Sequence, residues 1–265
     1  MLVGHDHFVT AAEINPPELP DSDHLLLDGT WDHVVVTDNV FGRVRVSPYS
    51  YAARITHDIP RVSPTVVVST RDRNILAIES EVRGAIMNGV RSFLVVTGDT
   101  VPAVDHLAHH FEIVEYLRRL RDRLGVAFEI GMPTRFKRWM LRQRTELGPD
   151  FFVAGPVIDP ETLHPQLDQL GWEPGGPDLH LLVLPPFSRR WAEQAETYGA
   201  VPAGDRLKSL LDEVTDCRSL AWDTTAEIVA RAEAAGLGGV VLTGLKQATV
   251  VGEAAAWRKG LTLGR

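Results

Sequence analysis

TVVVSTRDRNILAIESEVRGAIMNGVRSFLVVTGD, residues 65–99, reads as a strand, a helix and a second strand. The runs 65–70 and 93–99 are short, β-branched and continuously apolar, the pattern of strands covered on both faces of a parallel sheet. Between them Ile75, Ile78, Val82 and Ile86 recur at three- and four-residue steps and form one apolar stripe. Asn74 precedes the stripe as an N-cap, and Gly89 follows it at a C′ position. This is a β-α-β unit, and its pattern recurs along the chain.

Similar apolar runs occupy 7–14, 33–38, 126–132, 151–156, 179–184 and 238–244. A second helical stripe, Val114, Leu117, Leu120 and Leu124, closes at Gly125. Further helices are expected near 136–147, 160–170, 190–197, 205–214, 224–235 and 250–258. The turn-rich stretches 170–178 and 198–204 are expected to be loops. About eight strands alternating with helices, with no linker-like break, predict an α/β fold, a single (β/α)8 TIM barrel domain over 1–265. A doubly wound open sheet is the rival, and it lacks a G-x-G-x-x-G after the first strand.

A net charge of -8 on 265 residues disfavours a nucleic acid or an anionic membrane as partner. The single cysteine, Cys217, allows neither an internal disulfide nor a thiolate cluster and suits a reducing compartment. No run is apolar for the roughly 18–20 residues of a membrane helix, and the first 21 residues lack a signal-peptide pattern, so a cytoplasmic enzyme with a small-molecule substrate is expected. A homo-oligomer is left open.

In such barrels chemistry sits at the C-terminal strand ends. Those ends carry Glu13, Thr37 with Asp38, Ser69 with Thr70, Thr97-Gly98-Asp99, Met132, Gly155, Pro185 and Thr243. Glu13 and Asp99 place two carboxylates at one mouth, a constellation for proton transfer. A half-buried Glu13, held before Pro16 and Pro17, would have its pKa raised by desolvation and could act as a general acid. Gly98 would let a ligand approach the backbone closely. Both acids could equally cap the loops that follow them. His106, His109 and His110 have only Asp105 as an adjacent carboxylate, so no metal is assigned; His5 and His7 fall at the stability face. Trp139 and Trp191 lie just past strand exits and could stack on a flat ligand, although packing is the commoner role.

Three motifs resemble a known family. Glu13 to Pro17 is similar to the E-F-F-P-P opening of methylenetetrahydrofolate reductases. Ser69-Thr70-Arg71-Asp72-Arg73-Asn74 resembles their third-strand exit, and the run from Asn88 through LVVTGD resembles their G-I-R-N-v-L-a-L-T-G-D. The resemblance covers residues 7–100 and implies an oxidoreductase acting on a CH–NH group: it would reduce methylenetetrahydrofolate with a nicotinamide donor, NAD(P)H, through FAD. Glu13 would be the general acid, and Asp99 would orient flavin and folate. Thr37, Ser69, Thr70, Thr97 and Gly98 would contact the flavin. Met132 stands where the family has Tyr. Arg135 and Lys137, in the basic run 135–144, would pair with a cofactor diphosphate or a polyglutamate tail, unless that run is simply a solvated helix face. The second half of the barrel departs from the pattern, with Gly155 where the family carries a folate-binding Gln. Two alternatives are therefore flavin-free hydride transfer to a folate-type substrate and a non-catalytic folate- or partner-binding barrel.

Overall fold

The computed structural model describes residues 2, 7–19, 22–99, 109–173, 176–197, 199–246 and 249–263. Eight parallel strands close on themselves: β1 (Val9–Ile14), β2 (His33–Val36), β3 (Ser63–Ser69), β4 (Ser92–Val96), β5 (Glu129–Thr134), β6 (Phe151–Val157), β7 (Asp178–Val183) and β8 (Gly239–Leu242). Closure comes from β8 pairing with β1, with Ala11 opposite Val241 and Ala12 opposite Leu242. This is the (β/α)8 barrel, and the pairing excludes the open sheet.

Around it run α1 (Pro48–Asp58), α2 (Ile75–Met87), α3 (His110–Leu124), α4 (Arg138–Thr145), α5 (Pro160–Leu170), α6 (Arg189–Thr197), α7 (Asp205–Glu213), α8 (Cys217–Ala234) and α9 (Ala255–Leu263). A π-helical turn, Val250–Ala254, leads into α9. No helix among the described residues is long and apolar enough to cross a membrane.

The strands are apolar throughout because each is buried on two sides. All four residues of β2 and of β8 are buried. One set of side chains, with Val34, Val36, Phe93, Ile130 and Met132, packs outward against the helices. The alternate set, with Val9, Ala11, Val35, Leu94, Phe151, Val153 and Val241, fills the barrel. Leu2 joins that interior cluster, and its amide donates to Glu129 Oε2 at 2.8 Å.

The Asn74 side chain accepts from the Ala77 amide at 2.9 Å, and α2 ends before Gly89 at φ 89°. Two helices differ from expectation. α8 begins seven residues before 224, where Asp216 caps the amides of Arg218 and Ser219. α1 was not expected, although Pro48 at its first turn and the buried Tyr49, Ala52 and Ile55 carry its signal.

Candidate active site

Glu13 follows Val9 and Ala11 on the inward face of β1, so the strand's two-residue period aims it into the mouth of the barrel. Thr243, the residue after β8, lies across the β1–β8 seam and donates its hydroxyl to Glu13 Oε1 at 2.8 Å. The carboxyl is surrounded by protein, and burial lifts its pKa from 4.5 to about 6. The Thr243 hydrogen bond opposes the rise, and the negative charge of Asp99 adds to it. Glu13 is thereby poised to hold or release a proton near neutral pH.

Glu13 opens onto a cavity of about 950 Å³. Its walls are largely apolar, with Phe41, Tyr51, Pro156, Leu184, Trp191 and Leu245 among them, and Arg43, Arg45 and Lys246 supply cations. Asp23 is a second carboxylate in the lining. Among the described residues no three His, Cys, Asp or Glu side chains gather into a metal-binding group.

Of the catalytic and cofactor-binding residues expected from the sequence, Glu13 alone lines this cavity, joined by Thr243 and Trp191 from the wider set of strand-exit residues. Asp99 lies near enough to act on Glu13 through its charge, but its own carboxylate is engaged elsewhere. Its Oδ2 accepts the Phe41 amide at 2.6 Å, across the loop that follows β2. Phe41 has φ 54°, a left-handed backbone that costs a non-glycine residue roughly 1–2 kcal/mol. Arg71, 5 % exposed, braces the same loop by donating to the carbonyls of Asn39 at 2.7 Å and Asp99 at 3.2 Å.

Gly98 stands against the same brace. At φ 88° a Cβ there would lie 2.3 Å from Ser69 Oγ and 3.2 Å from Arg71 Cβ. A glycine here therefore allows the close approach of the protein's own side chains. The Ser69 hydroxyl, itself buried, accepts the Arg71 amide at 3.2 Å.

The other residues expected at the cofactor make contacts within the protein. The Thr37 hydroxyl donates to Asn15 Oδ1 at 2.7 Å, Thr70 is buried, and Met132 faces the outer helices. Thr97 meets His110 Nδ1 at 3.1 Å. Lys137 precedes α4 on the outer surface beside the exposed Trp139, and Arg135 reaches toward Gly199. His109 caps α3 by accepting the Phe111 amide; His5 and His106 lie outside the described residues. Trp191, unlike Trp139, does line the cavity.

Sequence reading named Thr243 only as a strand end, and missed Phe41, Arg43, Arg45 and Lys246 altogether. Their loops carry no motif; only closure of the barrel brings the β2 and β8 exits to opposite flanks of Glu13.

No protein-family model matches the chain, and no curated protein does. Solved structures resemble its fold. One is 2,3-dimethylmalate lyase, a PEP mutase/isocitrate lyase superfamily member, at 15% identity over 98% of this chain and 80% of that one, with a TM-score of 0.58. Oxaloacetate acetylhydrolase matches at 14% identity over 97% of this chain and 81% of that one, with a TM-score of 0.56. QR15, an aldolase, matches at 10% identity over 96% of each chain, with a TM-score of 0.52. At these identities the likeness is one of fold.

These three neighbours in fold are a lyase, an acetylhydrolase and an aldolase rather than methylenetetrahydrofolate reductases, and this overturns the resemblance to that family. With it fall the CH–NH oxidoreductase, the folate substrate, FAD and NAD(P)H, and the flavin-free and non-catalytic folate alternatives. Of the residues expected to contact the flavin, Thr37, Ser69, Thr70 and Met132 are buried, Gly98 is half-buried and Thr97 is exposed.

Proposed function

We propose that the chain is a lyase of the aldol type, which cleaves or forms a carbon–carbon bond in an anionic small molecule and uses Glu13 for proton transfer. The observation that carries this reading is the half-buried Glu13 carboxyl, tethered by Thr243 and with a pKa of about 6, opening onto a cavity that also holds Arg43, Arg45 and Lys246. The names of the proteins similar in fold, a dimethylmalate lyase and an aldolase, point the same way.

In the cleavage direction, ionised Glu13 takes the proton of a substrate hydroxyl. The hydroxyl-bearing carbon becomes a carbonyl as its bond to the neighbouring carbon breaks. The electron pair of that bond passes into an enolate, and Glu13 returns the same proton to the enolate carbon. Atoms and charge balance without a second acid. A group with its pKa near the working pH suits both halves of this exchange. Arg43, Arg45 and Lys246 serve as partners for the substrate carboxylate and for enolate charge. Thr243 holds the carboxyl in one orientation. The net charge of -8 favours a small molecule over a nucleic acid as the ligand, and the lone Cys217 suits a cytoplasmic setting.

The test is proton NMR in D2O with a panel of 2-hydroxy and 2-oxo dicarboxylic acids. The unaltered protein is expected to cleave a member of the panel or to place deuterium beside its carbonyl. Glu13→Gln is expected to slow this by about 10²–10⁴-fold, the usual contribution of a positioned acid–base group. No turnover and no exchange with any member, or full activity in Glu13→Gln, would overturn the reading.

A further inference from the structure

We infer that the substrate carries a sizeable apolar body seated against Phe41, Trp191 and Leu184, and that Asp99 is the positioning residue that sets the Phe41 wall. The inference rests on the reading that places the reaction at Glu13, and it adds the class of molecule: an anion with an aliphatic or aromatic body, larger than a simple dicarboxylate.

Three observations converge. The cavity of about 950 Å³ is at the upper end of what small-ligand sites enclose, roughly 300–1,000 Å³, and a four-carbon diacid would leave most of it filled with water. Phe41 is 59 % exposed and lines the cavity in a left-handed backbone conformation. A bulky residue kept at positive φ beside a site points to a role there. That conformation is held by other residues: Asp99 Oδ2 accepts the Phe41 amide at 2.6 Å, the Arg71 guanidinium holds the Asn39 carbonyl at 2.7 Å, and Asn39 Oδ1 accepts the Arg45 amide at 2.8 Å. The loop thus presents an aromatic face and, two and four residues later, the cations Arg43 and Arg45 to the same cavity. An apolar body with an anionic end matches both.

The probe is 8-anilinonaphthalene-1-sulfonate, an aromatic anion whose fluorescence rises in apolar sites, titrated into the full chain. Saturable one-to-one binding is expected, with Phe41→Ala weakening it at least fivefold and Phe41→Leu by less. Asp99→Ala is expected to weaken it similarly and to speed hydrogen–deuterium exchange of the 38–43 amides. Asp99→Asn, whose amide oxygen still accepts the Phe41 N–H, restores both. Equal melting temperatures of the variants separate these effects from unfolding. The inference is overturned if the unaltered protein shows no saturable binding, if Phe41→Ala binds as tightly, or if Asp99→Asn behaves like Asp99→Ala. Dye binding is independent of turnover: loss in Phe41→Ala without cleavage of any panel acid sinks the lyase reading alone, and the converse sinks this inference alone.

Discussion

Glu13 sits under two opposed influences that separate substitutions can isolate. The Thr243 hydroxyl stabilises the carboxylate, so Thr243→Val is expected to raise the Glu13 pKa above about 6. The charge of Asp99 destabilises the carboxylate, so Asp99→Asn is expected to lower it toward 4.5. Carbon-13 NMR titration of the Glu13 carboxyl reads both, and shifts of the opposite sign would refute the account of the site's field. The same tuning has a cost in stability. Because the folded pKa lies above the unfolded one, the folded state binds the extra proton between pH 4.5 and about 6, and stability falls as pH rises through that window. Above it the penalty is on the order of 2 kcal/mol. Glu13→Gln is therefore expected to be more stable than the unaltered protein at pH 7–8, with the advantage vanishing by about pH 4.5. Urea unfolding at the two pH values checks this.

At the scale of the element, legibility followed the strength of local signals. The α2 cap was visible as an Asn placed before a clean apolar stripe, and the Asn74–Ala77 bond bears it out. Asn74→Ala is expected to lower stability by about 1 kcal/mol, with Asn74→Asp close to neutral, as thermal unfolding would show. In α1 the stripe of Tyr49, Ala52 and Ile55 is diluted by polar neighbours, and the helix packs against β3 and α2. The early start of α8 is likewise set by the Asp216 cap, which lies outside the 224–235 stripe. Loops were the least legible. That the Asp99 carboxylate would engage the Phe41 amide 58 residues away, rather than a ligand, follows from no local pattern. In the basic run at 135–144, Lys137, Arg138 and Arg142 line an outer depression beside α4 that does not include Glu13.

On the scale of the whole molecule, the barrel separates stability from chemistry along its axis. Phe151 is fully buried inside the barrel, and its ring lies so close to Gly131 that a Cβ there would meet it at 2.2 Å. Phe151→Ala is expected to cost about 3–5 kcal/mol through the cavity it leaves, while shifting the Glu13 pKa little because that residue sits at the mouth. A large change in the Glu13 titration in this variant would show that interior and site are coupled. The amino-acid sequence by itself determined the number of strands, their burial on two faces and the identity of Glu13 as an inward strand-end acid, because period and polarity are local properties. Only the tertiary structure decided which groups share the cavity with Glu13. Closure joined β8 to β1 and brought Thr243 onto its carboxyl, and the loop braced by Arg71 and Asp99 brings Phe41, Arg43 and Arg45 to the same cavity. Those contacts join residues up to 230 positions apart, and nothing in a short window of sequence records them.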